Sequence, residues 1–157
     1  MQVKKDPRLL TMAQALSGRL PEVVEEIDGR KFKLRLLKPE ADDWVAANTP
    51  GSTLAAMRVN SNTPTIAAAL VSIDFGDGEV PVEQLFQPDG ANKIEKQFYD
   101  NNPAELVNWR RGQIVEFLRN DCDKITVSRL FKAYDKMETE NSTAVSEDFT
   151  KGTPSAA

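Results

Sequence analysis

The sequence predicts an α+β fold, a mainly helical single domain with an N-terminal β-hairpin and a disordered C-terminal tail. Two observations lead to it. Asp28-Gly29 interrupts two strand-like runs, and an Asx-Pro or Thr-Pro pair opens one helical run after another. The domain is expected over residues 1–139, and 140–157 form the tail.

Asp6-Pro7 predicts the first helix, with Asp as N-cap, Pro at the first helical position and Leu9, Leu10, Ala13 and Leu16 on one side. Gly18 and Pro21 end it. The next run, residues 22–37, holds the hairpin: both central positions of a two-residue turn need positive φ, which Asp-Gly tolerates. Behind the turn, Phe32, Leu34 and Leu36 alternate with Lys33 and Arg35, as in a half-buried strand. The strand before it alternates less cleanly, so its register stays open.

Pro39 opens a short helix, PEADDWVAAN, with Glu40, Asp42 and Asp43 near its positive end. Thr49-Pro50-Gly51 breaks it, and Ser52 can cap a turn around Leu54, Ala55 and Met57. Thr63-Pro64 then precedes TIAAALVSI, where Ile66, Ala69, Leu70 and Ile73 fall on one helical face. Alanine content favours a helix here over a buried strand. A turn at Pro88-Asp89-Gly90 leads to a helix from about Ala91 to Tyr99. Asn102-Pro103 starts a longer one through Arg119, with Leu106, Arg110 (its stem), Ile114, Phe117 and Leu118 inward. Thr126 caps the last, which carries Val127, Leu130, Phe131, Tyr134 and Met137. From Glu140 the residues are small and polar, too few of them apolar to offset the entropy of ordering.

Composition narrows the chemistry. Of 157 residues, none is histidine, which removes the commonest general base and the Ser-His and Cys-His pairs together. Net charge is −4 and no basic run exceeds two residues, so nucleic acid and anionic membranes are not expected partners. The longest apolar run, Ile66 to Val71, is far short of the ~20 residues of a membrane span, and the charged start MQVKKDPRLL lacks an apolar signal-peptide core. The single cysteine, Cys122, lies between two aspartates that should raise its pKa.

SIDFGDGEVPVEQLF, residues 72–86, most resembles a site. A calcium loop counted from Asp74 places Gly76, Gly78 and Leu85 where ligands belong. A phosphate cradle would lead into a helix, yet Gly78 leads into an extended Glu-Val-Pro-Val. Asp74-Phe75-Gly76 spells a kinase motif without its partners. A tight turn at Asp77-Gly78 explains the residues without a ligand. Glu25-Glu26 and Asp42-Asp43 are adjacent and point apart, so neither pair is a natural acid-base dyad. Arg110-Arg111 suits surface charge, and Trp44 and Trp109 suit the core better than a partner surface. No catalytic, metal-binding or cofactor-binding residue is predicted, and the chain is expected not to be an enzyme. The stripe Leu130, Phe131, Tyr134 and Met137 is either a lid on the core or a partner-binding surface.

The order of the pieces resembles the small tail assembly chaperones of long-tailed bacteriophages and related baseplate-hub assembly proteins. An apolar-basic strand, KFKLRLLKPEADDW, precedes the alanine-rich stretch STLAAMRVNSNTPTIAAALVSID. Then come VPVEQLF and the helical end IVEFLRNDCDKITVSRLFKAY. The likeness covers about residues 23–137. It is strongest at Val71-Ser72-Ile73-Asp74 and Gly78-Glu79-Val80-Pro81-Val82, with Phe75-Gly76-Asp77 lengthening the usual turn. The resemblance implies a cytoplasmic protein of the host cell, without cofactors, that binds tape measure and tail tube proteins during assembly and is often made in two lengths by frameshifting. A homo-oligomer fits as well. The alternatives are a structural subunit that stays in the virion tail or baseplate, and a small histidine-free cytosolic enzyme.

Overall fold

The structure, a computed structural model, describes residues 20–152, with side chains as far as Asn141. The first predicted helix, at Asp6, lies outside the described residues. Strands β1 (Glu22–Ile27) and β2 (Arg30–Arg35) form the predicted hairpin. Asp28 and Gly29 both take positive φ, 52° and 78°, as a two-residue turn matched to strand twist requires. The register open in the sequence pairs Val23 with Leu34 and Glu25 with Phe32.

Three helices follow: α1 (Pro39–Ala47), α2 (Leu54–Asn60) and α3 (Asn62–Ala69). Two caps shift by a residue or more. Thr53, not Ser52, caps α2, its Oγ1 accepting from the Ala56 amide at 3.1 Å. Helix α3 begins before Thr63-Pro64, at Asn62, and Ser61 donates back to the Arg58 carbonyl instead of capping it.

The run TIAAALVSI is not one helix. It is helical to Ala69 and becomes strand β3 (Leu70–Asp74) without a loop, Leu70 already having extended angles. The alanines all lie before the break, while Val71 and Ile73 lie after it, where β-branching favours a strand. The i, i+3 spacing of Leu70 and Ile73, which reads as helical, has another cause. Lys33 pairs with Ser72 but Leu34 pairs with Leu70, so Val71 has no opposite number. This bulge restores the alternation that an odd spacing would break. Leu70 and Ile73 are both buried as a result.

Strand β4 (Glu79–Pro81) completes an antiparallel sheet in the order β1-β2-β3-β4. Then come the single turn α4 (Val82–Leu85), α5 (Lys93–Asn101), α6 (Pro103–Asn120) and α7 (Lys124–Gly152). Val82, read as extended, starts α4. Asn92 caps α5, accepting from the Glu95 amide at 3.1 Å, two residues later than Ala91 implied. Asp123 takes the role predicted for Thr126 at α7: its carboxylate accepts from the Thr126 amide at 2.7 Å, and Thr126 is buried one turn inside. Helix α7 continues past residue 140, through part of the segment whose composition suggested a tail.

The core lies between one sheet face and α3, α6 and α7, with Phe32, Leu34, Ile66, Ile73 and Leu130 fully enclosed. Helix α3 is its hub, touching α1, α2, α6, α7 and β2. Pro64, Thr65, Ile66, Ala67 and Ala69 are all buried, as in a helix surrounded on nearly every side. The other sheet face is ionic, with Lys33 paired to Glu79 and Arg35 to Glu22. Among the described residues no helix is long and apolar enough to cross a membrane.

Candidate functional site

The glycine-rich stretch is the loop between β3 and β4. Asp74 Oδ1 accepts from the amides of Gly76 at 2.7 Å and Gly78 at 3.2 Å. The two glycines sit at φ 114° and 117°, angles that side chains rarely adopt. The carboxylate thus folds its own loop, which is the turn reading with a longer span than Asp77-Gly78 alone. Glu79 is engaged elsewhere: one of its oxygens meets Lys33 Nζ at 2.6 Å and accepts from Ser72 Oγ at 2.6 Å. The Lys33 hydrogen bond, then that of Ser72, holds Glu79 below the usual carboxylate range, and the same contact raises Lys33. A lysine held charged in this way is a poor base for activating Ser72.

Of the other acid pairs, Glu25 and Glu26 fall on opposite faces of β1. Glu25 turns inward on β1 and meets Arg129 of α7 at 2.9 Å, which explains why β1 does not alternate cleanly. Burial first, and then Asp43, pushes the Asp42 carboxyl up. For Cys122 the direction is the expected one, but burial leads: it raises the thiol most, Arg30 opposes it, and Asp121 and Asp123 add to it.

Two residues differ from their predicted setting. Arg111, not the stem of Arg110, is the buried arginine of α6. Its guanidinium donates to both Glu40 oxygens, at 2.8 and 3.0 Å, and to Asn108 Oδ1 at 3.2 Å, and lies over the Trp44 ring at 5.4 Å. This clamp ties α6 to α1 and lowers the Glu40 pKa, chiefly through the Arg111 hydrogen bond. Trp44 packs against the core; Trp109 is half-buried beside Tyr99, ring centroids 6.2 Å apart.

The terminal stripe takes the first of its two readings, the lid on the core. Leu130, Tyr134 and Met137 are in the core and Phe131 is half-buried against it. The Tyr134 hydroxyl accepts from the Leu37 amide at 3.2 Å, and burial pushes the phenol well above its usual range. These side chains close the domain. The physical reason is proximity: α7 lies on α3 and β1, whose apolar faces need a cover.

Apolar side chains also remain exposed, at Val24 of β1, Phe75 of the β3–β4 loop and Ile125 at the start of α7, and in pairs on α2 and α5. Ile94 is 83% exposed and Phe98 49%, one turn apart on α5, while Leu54 and Val59 of α2 are also open. A groove of about 220 Å3 runs between the β2–α1 connection, the end of α3 and α6. Ala67–Leu70, Val82 and Ile114 line it, together with Arg35, Lys38, Arg110 and Arg111. Alternation and helical period give no sign of it, because its walls come from segments far apart in the chain.

No model of a protein family matches the chain, and neither does a curated protein or a solved structure.

Proposed function

We propose that the protein is a non-enzymatic assembly chaperone of a bacteriophage tail, holding tape measure or tail tube subunits through helical surfaces until they are built in. The observation that carries this reading is the likeness at Val71–Asp74 and Gly78–Val82. Those two phrases form one unit, the β3–β4 hairpin, with Ile73 opposite Val80 and Asp74 opposite Glu79. Support also comes from the open side chains of α2 and α5, since exposed apolar residues on charged helices suit reversible contact with a partner's apolar surface.

Co-expression with tape measure and tail tube proteins tests it. The expected result is more soluble tape measure, recovered with this chain, and finished tails that lack the chain. Recovery of stoichiometric chain from purified tails would replace the chaperone with a structural subunit. Absence of any association would end the reading.

A further inference from the structure

We propose that the groove beside α3 is a docking site for an acidic, amphipathic helical segment of a partner protein. Its floor is made of small or apolar side chains, Ala67, Ala69, Leu70 and Ile114 among them, which leave space where larger residues would fill it. At about 220 Å3 it is smaller than the roughly 300–1,000 Å3 of small-molecule sites, and suits one or two anchoring side chains instead.

Charge selects the occupant. Apart from the pairs Arg35–Glu22 and Arg111–Glu40, Lys38 and Arg110 line the groove against Glu83, a cation excess in a chain whose net charge is −4. Arg111 is committed to Glu40. Arg35 is committed to Glu22, Nη2 reaching it at 3.3 Å. Arg110 uses Nε on the Phe86 carbonyl at 3.2 Å. A partner with leucine-like anchors flanked by carboxylates would match floor and rim together. The chain's own residues 1–19 have the wrong sign, with Lys4, Lys5, Arg8 and Arg19 against Asp6.

This inference adds a chemistry to the partner of the assembly reading, and its test uses no tail protein, so either can fail without the other. The probes are capped peptides of about three helical turns with two leucines one turn apart. One is flanked by glutamates, a second by lysines. They are titrated into the labelled full chain and followed by amide chemical shifts. The glutamate peptide is expected to move Ala67–Leu70 and Val82 and to weaken as salt is raised. The lysine peptide should bind at least about tenfold more weakly, and Lys38→Glu, at an exposed position, should cost the glutamate peptide a similar factor with an unchanged melt. Equal binding of both peptides, no binding of either, or shifts elsewhere would overturn the proposal. So would the same amides responding to octanoate but not to the glutamate peptide, which would make this a small-carboxylate site. Movement of those amides with protein concentration alone would give the groove to a second copy.

Discussion

Helices α3 and α5 are of similar length and opposite circumstance. In α3 five of eight residues are buried, Pro64 through Ala67 and Ala69, and the helix touches four others and the sheet. In α5 none is buried; it lies on α6 through half-buried Tyr99, and its apolar Ile94 and Phe98 face away. Composition already separates them, Ile66 and three alanines without a charge against two lysines, a glutamate and an aspartate, and neighbouring elements close around the apolar side chains of the first only. The first helix carries the stability of the domain, and the second carries apolar area in contact with water.

The strongest way to break that contrast is at the α3–α7 contact. Leu130→Ala should destabilise the protein by about 2–5 kcal/mol, the range for emptying a packed leucine site, visible in denaturant melts; a loss below about 1 kcal/mol would mean that the stripe is not a core lid. Next is the clamp: Arg111→Ala removes packing against Trp44 as well as hydrogen bonds, and should cost about 1–3 kcal/mol. It should also change tryptophan emission.

A smaller effect comes through pH. Glu40 titrates below its ordinary 4.5 when folded, so the unfolded chain binds the proton more readily. Its contribution to stability is full above that value and is lost as pH falls through the folded pKa. Glu40→Gln should therefore lose most near neutrality, with the gap to the native chain narrowing below pH 4.5. A constant gap in acid melts would remove the charge from the account. Smallest of all, Ile94→Ser with Phe98→Ser should move stability by no more than about 0.5 kcal/mol per site while weakening tape measure recovery. A large loss of stability would show that α5 is packed more tightly than its exposure indicates.

Where a local rule decided the structure, it could be read directly. Asp28-Gly29 sets its turn through its own two φ angles, and Pro39 and Pro103 open helices whatever packs on them. The α3–β3 junction could not be read so, because the bulge at Val71 copies a helical spacing. Arg110 and Arg111 are neighbours separated by about 100° around the helix, and only the position of Glu40, some seventy residues earlier, selects between them. The stripe on α7 was found, but its periodicity is the same whether the covering surface is its own domain or a partner's. The groove had no linear signature, since its rim comes from β2, α1 and α6.

The sheet's two outer strands bear on how this chain can meet others. Strand β4 has three residues and ends on Pro81, which has no amide hydrogen to donate; β1 alternates Glu22 and Glu26 with an open Val24. Short length, proline and charge are the usual guards against one sheet growing into another. Such edges make poor templates for strand addition. Contacts made through side chains on helices can be released, whereas a sheet extended by a partner's strand tends to persist.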